Sequence, residues 1–212
     1  MVMHLYGRSI HLNASPAEAM GPVGAVLAHV RSKTGKDVSL WSAVFGAPLG
    51  TLTFSARVDG LSDVASMSAA LQGDATFDGL VDMVRAMATR SPEDTLREAL
   101  NGDESATSPP VGSVATVTTS VIAAGMYAEA ITWGLDVAAH VETATGTRVI
   151  FLVDMFGTFG QVTWIATAPD AAAADAVNAK INADAGYMTK LGGSKGLFVE
   201  GSAHRMMSTR IA

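Results

Sequence analysis

The chain has 212 residues, 49% hydrophobic and 16% charged, enough apolar material for one large domain or two small ones. A net charge of −6, spread evenly along the chain, argues against nucleic-acid or anionic-membrane binding. The absence of cysteine excludes disulfides, thiolate metal sites and cysteine nucleophiles.

The first element is a β-rich run, "MHLYGRSIHLN" (3–13), in which His4 and Arg8 break any secretory pattern. A helix follows. Ser15 is a natural N-cap, Pro16 suits the first helical position, and Glu18 completes a capping box. Met20, Val23, Leu27 and Val30 form one apolar stripe, and Gly35 ends the helix. "DVSLWSAVFG" and "TLTFSARV", joined by a glycine turn, then read as a β-hairpin. A second helix is expected at about 61–73 and further helix within 77–90. The segment "SPEDTLREALNG" (91–102) carries local helix signals, but the repeat described below demands a strand, and the reading follows the repeat.

Residues 101–113, "NGDESATSPPVGS", are polar, contain two prolines and read as a linker between a first unit, 1–100, and a second, 114–212. The second unit opens with "SVATVTTSVIAA" (113–124). The membrane-length run 114–135 contains Gly125 and Glu129 and is read as a strand followed by a helix, so no membrane span is expected and the protein is placed in the cytoplasm. A hairpin, "RVIFLVDMFG" with "QVTWIATA", a helix at 170–183 and a last strand at 196–211 complete the chain. Residues 149–156 are apolar on both faces, so both should be covered.

The two units are copies. Residues 17–46 align with 128–157 with 12 identities in 30, including His29/His140, where chance gives roughly 3. After a one-residue deletion in the glycine turn ("FGAPLG" against "FGTFG"), 50–77 align with 160–187, with Asp74/Asp184 identical and Phe54/Trp164 both aromatic. Each copy reads β-α-β-β-α-β, a ferredoxin-like unit, so the fold class is α+β. Such a sheet has helices on one face only. Two sheets placed face to face shield each other and close an eight-stranded intramolecular α/β barrel.

This doubled unit with its glycine hairpins resembles the dimeric α/β-barrel superfamily in tandem form, the group of antibiotic-biosynthesis monooxygenases, NIPSNAP-type proteins and chlorite-dismutase-like haem proteins. The resemblance implies a small-molecule-binding protein, monooxygenase-like and cofactor-independent, acting on an aromatic or polyketide-like compound. Haem is the more remote implication, and it would need a free histidine. A homo-oligomeric assembly or partner-binding protein is the alternative, motivated by a mean hydropathy of +0.29.

His29 and His140 border the apolar stripe of their helices. They are candidate catalytic acid–base groups, or simply half-buried histidines that pack a helix end. Trp164, Trp41 and Phe54 on the hairpins and Trp133 on the second unit's helix are candidate pocket residues for a small hydrophobic or aromatic ligand, or simply core. His11, aligned with Ile122, joins that pocket set, and His204 is a weaker sheet-face candidate. Glu18 and Glu129 are explained by helix capping and dipole. No metal-ligand spacing is present, and the methionines read as core filler.

Overall fold

A computed structural model describes residues 3–102 and 107–212; four residues of the expected linker, 103–106, lie outside them. The first repeat comprises β1 (His4–His11), α1 (Pro16–Thr34), β2 (Val38–Phe45), β3 (Thr51–Val58), α2 (Leu61–Leu71), α3 (Ala75–Arg85) and β4 (Glu93–Ala99). The second comprises β5 (Val114–Val121), α4 (Tyr127–Thr145), β6 (Val149–Phe156), β7 (Gln161–Ala168), α5 (Ala171–Asn182), α6 (Ala185–Gly192) and β8 (His204–Arg210).

Local chemistry explains these boundaries. Ser15 accepts from the Glu18 N–H, and the Glu18 carboxylate accepts from the Ser15 N–H, so α1 opens on a full capping box. Gly35 ends it in the left-handed conformation at φ 66°. The second copy keeps the C-terminal glycine, Gly146, but α4 opens at Met126 with no side-chain cap. The capping explanation therefore holds for Glu18 and fails for Glu129, which retains only the favourable dipole of the first turn.

The strands close in the order β1-β3-β2-β8-β5-β7-β6-β4, with every neighbouring pair antiparallel. Each copy contributes the ferredoxin-like order, β4-β1-β3-β2 and β8-β5-β7-β6, and β2–β8 and β4–β6 are the two seams. Segment 91–102 thus forms strand β4, as the repeat demands. Because β1 and β5 are an even number of antiparallel steps apart, they run the same way. The rotation that relates the copies therefore runs along the barrel axis, and both hairpin turns emerge at one end.

Three expectations need correction. His11 is not the counterpart of Ile122: the isolated bridges pair Leu12 with Ala88 and Ile122 with Phe198, which makes His11 equivalent to Val121. The extra residue of the second copy lies in the loop before α4, and the alignment carried it into the strand. The last strand is shorter than 196–211, because Gly196 and Gly201, at φ 79° and 75°, hold the preceding segment in turns, and α6 precedes it. Finally, β6 is covered only up to its middle; Met155 and Phe156, at its end, are 43% and 55% exposed.

Helices cover the outer face of each sheet. Ile10, Val23, Leu27, Leu40 and Leu52 form the first core there; Ala130, Ala138, Phe151 and Val162 form the second. The barrel interior is more polar. By strand alternation Ser9, His11, Thr51, Thr53 and Ser55 point inward, with Ser9 bonded to Thr53 and Trp41 Nε1 donating to Ser55 Oγ at 3.0 Å. An apolar patch of Met3, Ala99 and Leu152 closes the β4–β6 side. Most apolar burial therefore lies between helices and sheet, not between the two sheets.

Candidate active site

The helix–sheet space is filled differently in the two repeats. In the second, Phe151 stacks on Trp164 at 4.8 Å between centroids, and Trp133 and Phe198 meet Trp164 edge-on at 5.9 Å each. The equivalent first-repeat residues are Leu40, Phe54, Pro22 and Ala88. Three aromatic rings are therefore missing from the first repeat. It holds a cavity of about 410 Å³ where the second holds about 180 Å³.

The first-repeat cavity is mainly apolar, with Ile10, Val30, Phe54, Val64, Met67 and Leu71 among its walls, and polar at Tyr6, Arg8, Ser68, Arg85, Thr89, Arg90 and Ser91. Tyr6, Arg8 and Ile10 share the helix-facing side of β1, and pairing with β4 sets Asp94 opposite Arg8.

Arg8 donates to Asp94 through Nε and Nη2, both at 2.7 Å, and the Tyr6 hydroxyl donates to the same carboxylate at 3.2 Å. Burial pushes the Tyr6 phenol up to about 12, so it stays a neutral donor at physiological pH. Burial also opposes ionisation of Asp94, but the hydrogen bonds and charge of Arg8 outweigh it and hold the carboxyl below its ordinary value. The Asp94 bond keeps the Arg8 guanidinium firmly cationic, against its own desolvation. Of the five N–H donors of the fork Asp94 takes two, the Tyr6 hydroxyl also interacts with the guanidinium, and the side chain remains 44% exposed, so the group is reachable from outside. The second repeat has Thr116, Thr118 and Arg205 in these places, so the triad belongs to the first repeat alone.

The residues singled out from sequence are distributed over several places. Phe54 lines the first cavity; Trp133 and Trp164 line the smaller second one. Trp41 faces the barrel interior. His11 is buried at the end of β1, with Nδ1 2.8 Å from Thr51 Oγ1 and Nε2 against Arg90 Nη2. Arginine can only donate, so Nε2 is the acceptor and the proton sits on Nδ1, which donates to Thr51. Burial and the Arg90 charge both lower the imidazole pKa and favour this neutral form. His204 is exposed on β8.

His29 and His140 are not part of either cavity lining. Each binds the aspartate that caps the second helix after its own: His29 Nε2 to Asp74 of α3 at 3.1 Å and His140 Nε2 to Asp184 of α6 at 2.8 Å. Lys33 also binds Asp74, at 2.7 Å. The Lys33 bond and the Phe77 N–H hold Asp74 well below the ordinary carboxylate range; His140 and the Tyr187 N–H lower Asp184. The two pairs tie α1 to α3 and α4 to α6. No histidine lines either cavity, so the residues do not fit a haem held by a proximal histidine. Among the described residues no group of three or more His, Asp or Glu side chains could hold a metal ion, and no helix is long and apolar enough to cross a membrane.

No family model and no curated protein matches the sequence. Solved structures do match. A provisionally named monooxygenase from Fusobacterium nucleatum superposes with a TM-score of 0.73 at 8% identity, over 100% of this chain and 93% of that one. An anthrone oxidase-like protein gives 0.67 at 12%, over 99% and 92%. A chlorite dismutase from Candidatus Nitrospira defluvii gives 0.53 at 12%, over 98% and 92%. At these identities the likeness establishes architecture alone. The chain has the dimeric α/β-barrel fold in its tandem, single-chain form.

Proposed function

We propose that the first-repeat cavity binds a small, planar, largely apolar compound and oxidises it with dioxygen, as a monooxygenase-like enzyme that needs no bound cofactor. The observation that carries this reading is the asymmetry between copies. One helix–sheet space is packed with aromatic rings, while the other is open and carries the Tyr6–Asp94–Arg8 triad. The similar anthrone oxidase-like structure supports an anthrone-type ketone as the first substrate to try.

In this reading Phe54 and the aliphatic walls hold the ring system, and an Arg8 N–H not bound to Asp94 donates to the ketone oxygen. Loss of a proton to solvent from the CH2 group gives an enolate, whose charge Arg8 stabilises. Tyr6 and Asp94 fix the guanidinium. The carbanion adds O2 to give a hydroperoxide, which loses water to leave a carbonyl. In sum, one CH2 and one O2 become one C=O and one H2O, and the substrate supplies all the electrons.

The test is oxygen uptake with anthrone alongside calorimetric binding. The protein should consume O2 and anthrone in equal amounts, and Arg8→Met should lower kcat/KM by about 100-fold. Ala88→Phe, which copies the second repeat, should abolish binding while leaving the melting temperature close to wild type. His29→Asn should leave turnover intact. Absence of both binding and uptake would defeat the proposal, and binding without uptake would leave a carrier in place of an enzyme.

A further inference from the structure

Among the described residues thirteen large hydrophobic side chains are exposed, and six of them sit on the two hairpin ends. They form three equivalent pairs: Val44 and Met155, Phe45 and Phe156, Leu49 and Phe159. Leu49 and Phe159 are the most exposed, at 91% and 94%. Two of the three positions have changed residue since duplication and stayed apolar. The β2–β3 and β6–β7 turns leave the barrel at the same end and, four strands apart in a ring of eight, on opposite sides of it. That end therefore carries a rim with two apolar tips related by the internal rotation symmetry of the chain, separated by the exposed starts of β4 and β8 at Glu93 and His204.

We infer that this rim is a self-association surface: a second copy docks end to end on it, giving a two-fold dimer of barrels. Taking about 150–250 Å² for a fully exposed aromatic and somewhat less for an aliphatic side chain, the six side chains offer roughly 700 Å². A standard interface takes about 800 Å² from each partner. Divided between the two tips, each apolar patch is about 350 Å², a size that on a monomer is often functional. Like meets like in an isologous contact, and two apolar tips on each copy satisfy that requirement without any complementary pocket. The net charge of −6 disfavours an anionic lipid surface as the occupant. This inference is independent of the cavity reading.

Sedimentation velocity from 1 to 100 µM tests it. The wild-type chain should sediment as a dimer, and L49K/F159K should raise the dimer dissociation constant by about 100-fold or more. Both sites are in exposed turns, so the circular-dichroism melt should be unchanged; if the lysine variant fails to fold, L49S/F159S is the substitute. A wild-type monomer at 100 µM, or a lysine variant that still dimerises, overturns the inference. So does a monomer that floats with phosphatidylcholine vesicles, which would assign the rim to lipid.

Discussion

At the scale of single residues, the duplicated histidines are most informative for what they hold. His29 and His140 each grip the aspartate that caps the last helix of their own repeat, α3 and α6. The sequence comparison contained both halves of this device, since Asp74 and Asp184 are identical between copies, but nothing local says that residues 45 and 44 positions apart will meet. The Tyr6–Asp94–Arg8 triad was harder to foresee. Its members lie 88 and 86 positions apart and are joined only by β1–β4 pairing. The one available signal was polar Tyr6 and Arg8 on the helix-facing row of β1, where apolar residues belong. For the aspartates a pH effect follows. Both carboxyls bind protons less readily folded than unfolded, so the unfolded chain takes up more protons below its ordinary Asp pKa near 4. Stability should be full above that value and fall as pH drops through it. The D74N/D184N variant keeps side-chain caps but loses the charges, so its melting temperature should be lower at pH 7 and should depend less on acid.

At the scale of elements, α1, α4 and the hairpins follow from capping, periodicity and glycine turns, while β4 was recoverable only from the repeat. Ser91, Pro92 and Glu93 imitate a helix start, yet β4 fills the edge between β1 and β6, and tertiary pairing overrides local preference. The copies also exchange volume across one contact. The first places Val23 and Leu40 where the second has Gly134 and Phe151, all buried. A Cβ on Gly134 would lie 2.4 Å from Phe151 Cζ, so the missing side chain is what admits the ring. Gly134→Val should therefore cost about 2–3 kcal/mol in urea unfolding. Adding Phe151→Leu, which restores the first-repeat pairing, should recover at least half of the loss; no recovery would disprove the exchange.

At the scale of the whole molecule, the seams make two copies one unit. Arg97 on β4 donates to Asp154 on β6 at 2.8 Å inside the barrel, and Gln161 donates to the other carboxylate oxygen. Burial pushes the Asp154 carboxyl up in spite of Arg97, a sign of how dry the position is. Asp154→Ala would leave Arg97, only 17% exposed, without its partner and should cost about 3–5 kcal/mol. In calorimetry wild type and variant alike should show one transition, because neither sheet keeps its edges or inner face covered alone. Two separate transitions would contradict the shared barrel. The architecture was legible because duplication writes it twice; the polar interior was not, since alternation shows which residues share a face but not which face turns inward.

One consequence of the aromatic filling in the second repeat reaches beyond stability. Every molecule carries its own comparison site: a narrowed twin of the open cavity, about 180 Å³ against 410 Å³, on the same fold, at the same concentration, under the same solvent. The three missing rings can be moved one at a time from positions 133, 151 and 198 to their first-copy equivalents, the second together with Val23→Gly, so that occupancy is titrated by side-chain volume while the barrel stays closed. A compound whose signal fades in step with that transfer is seated where Phe54 sits, and one indifferent to it is bound somewhere else.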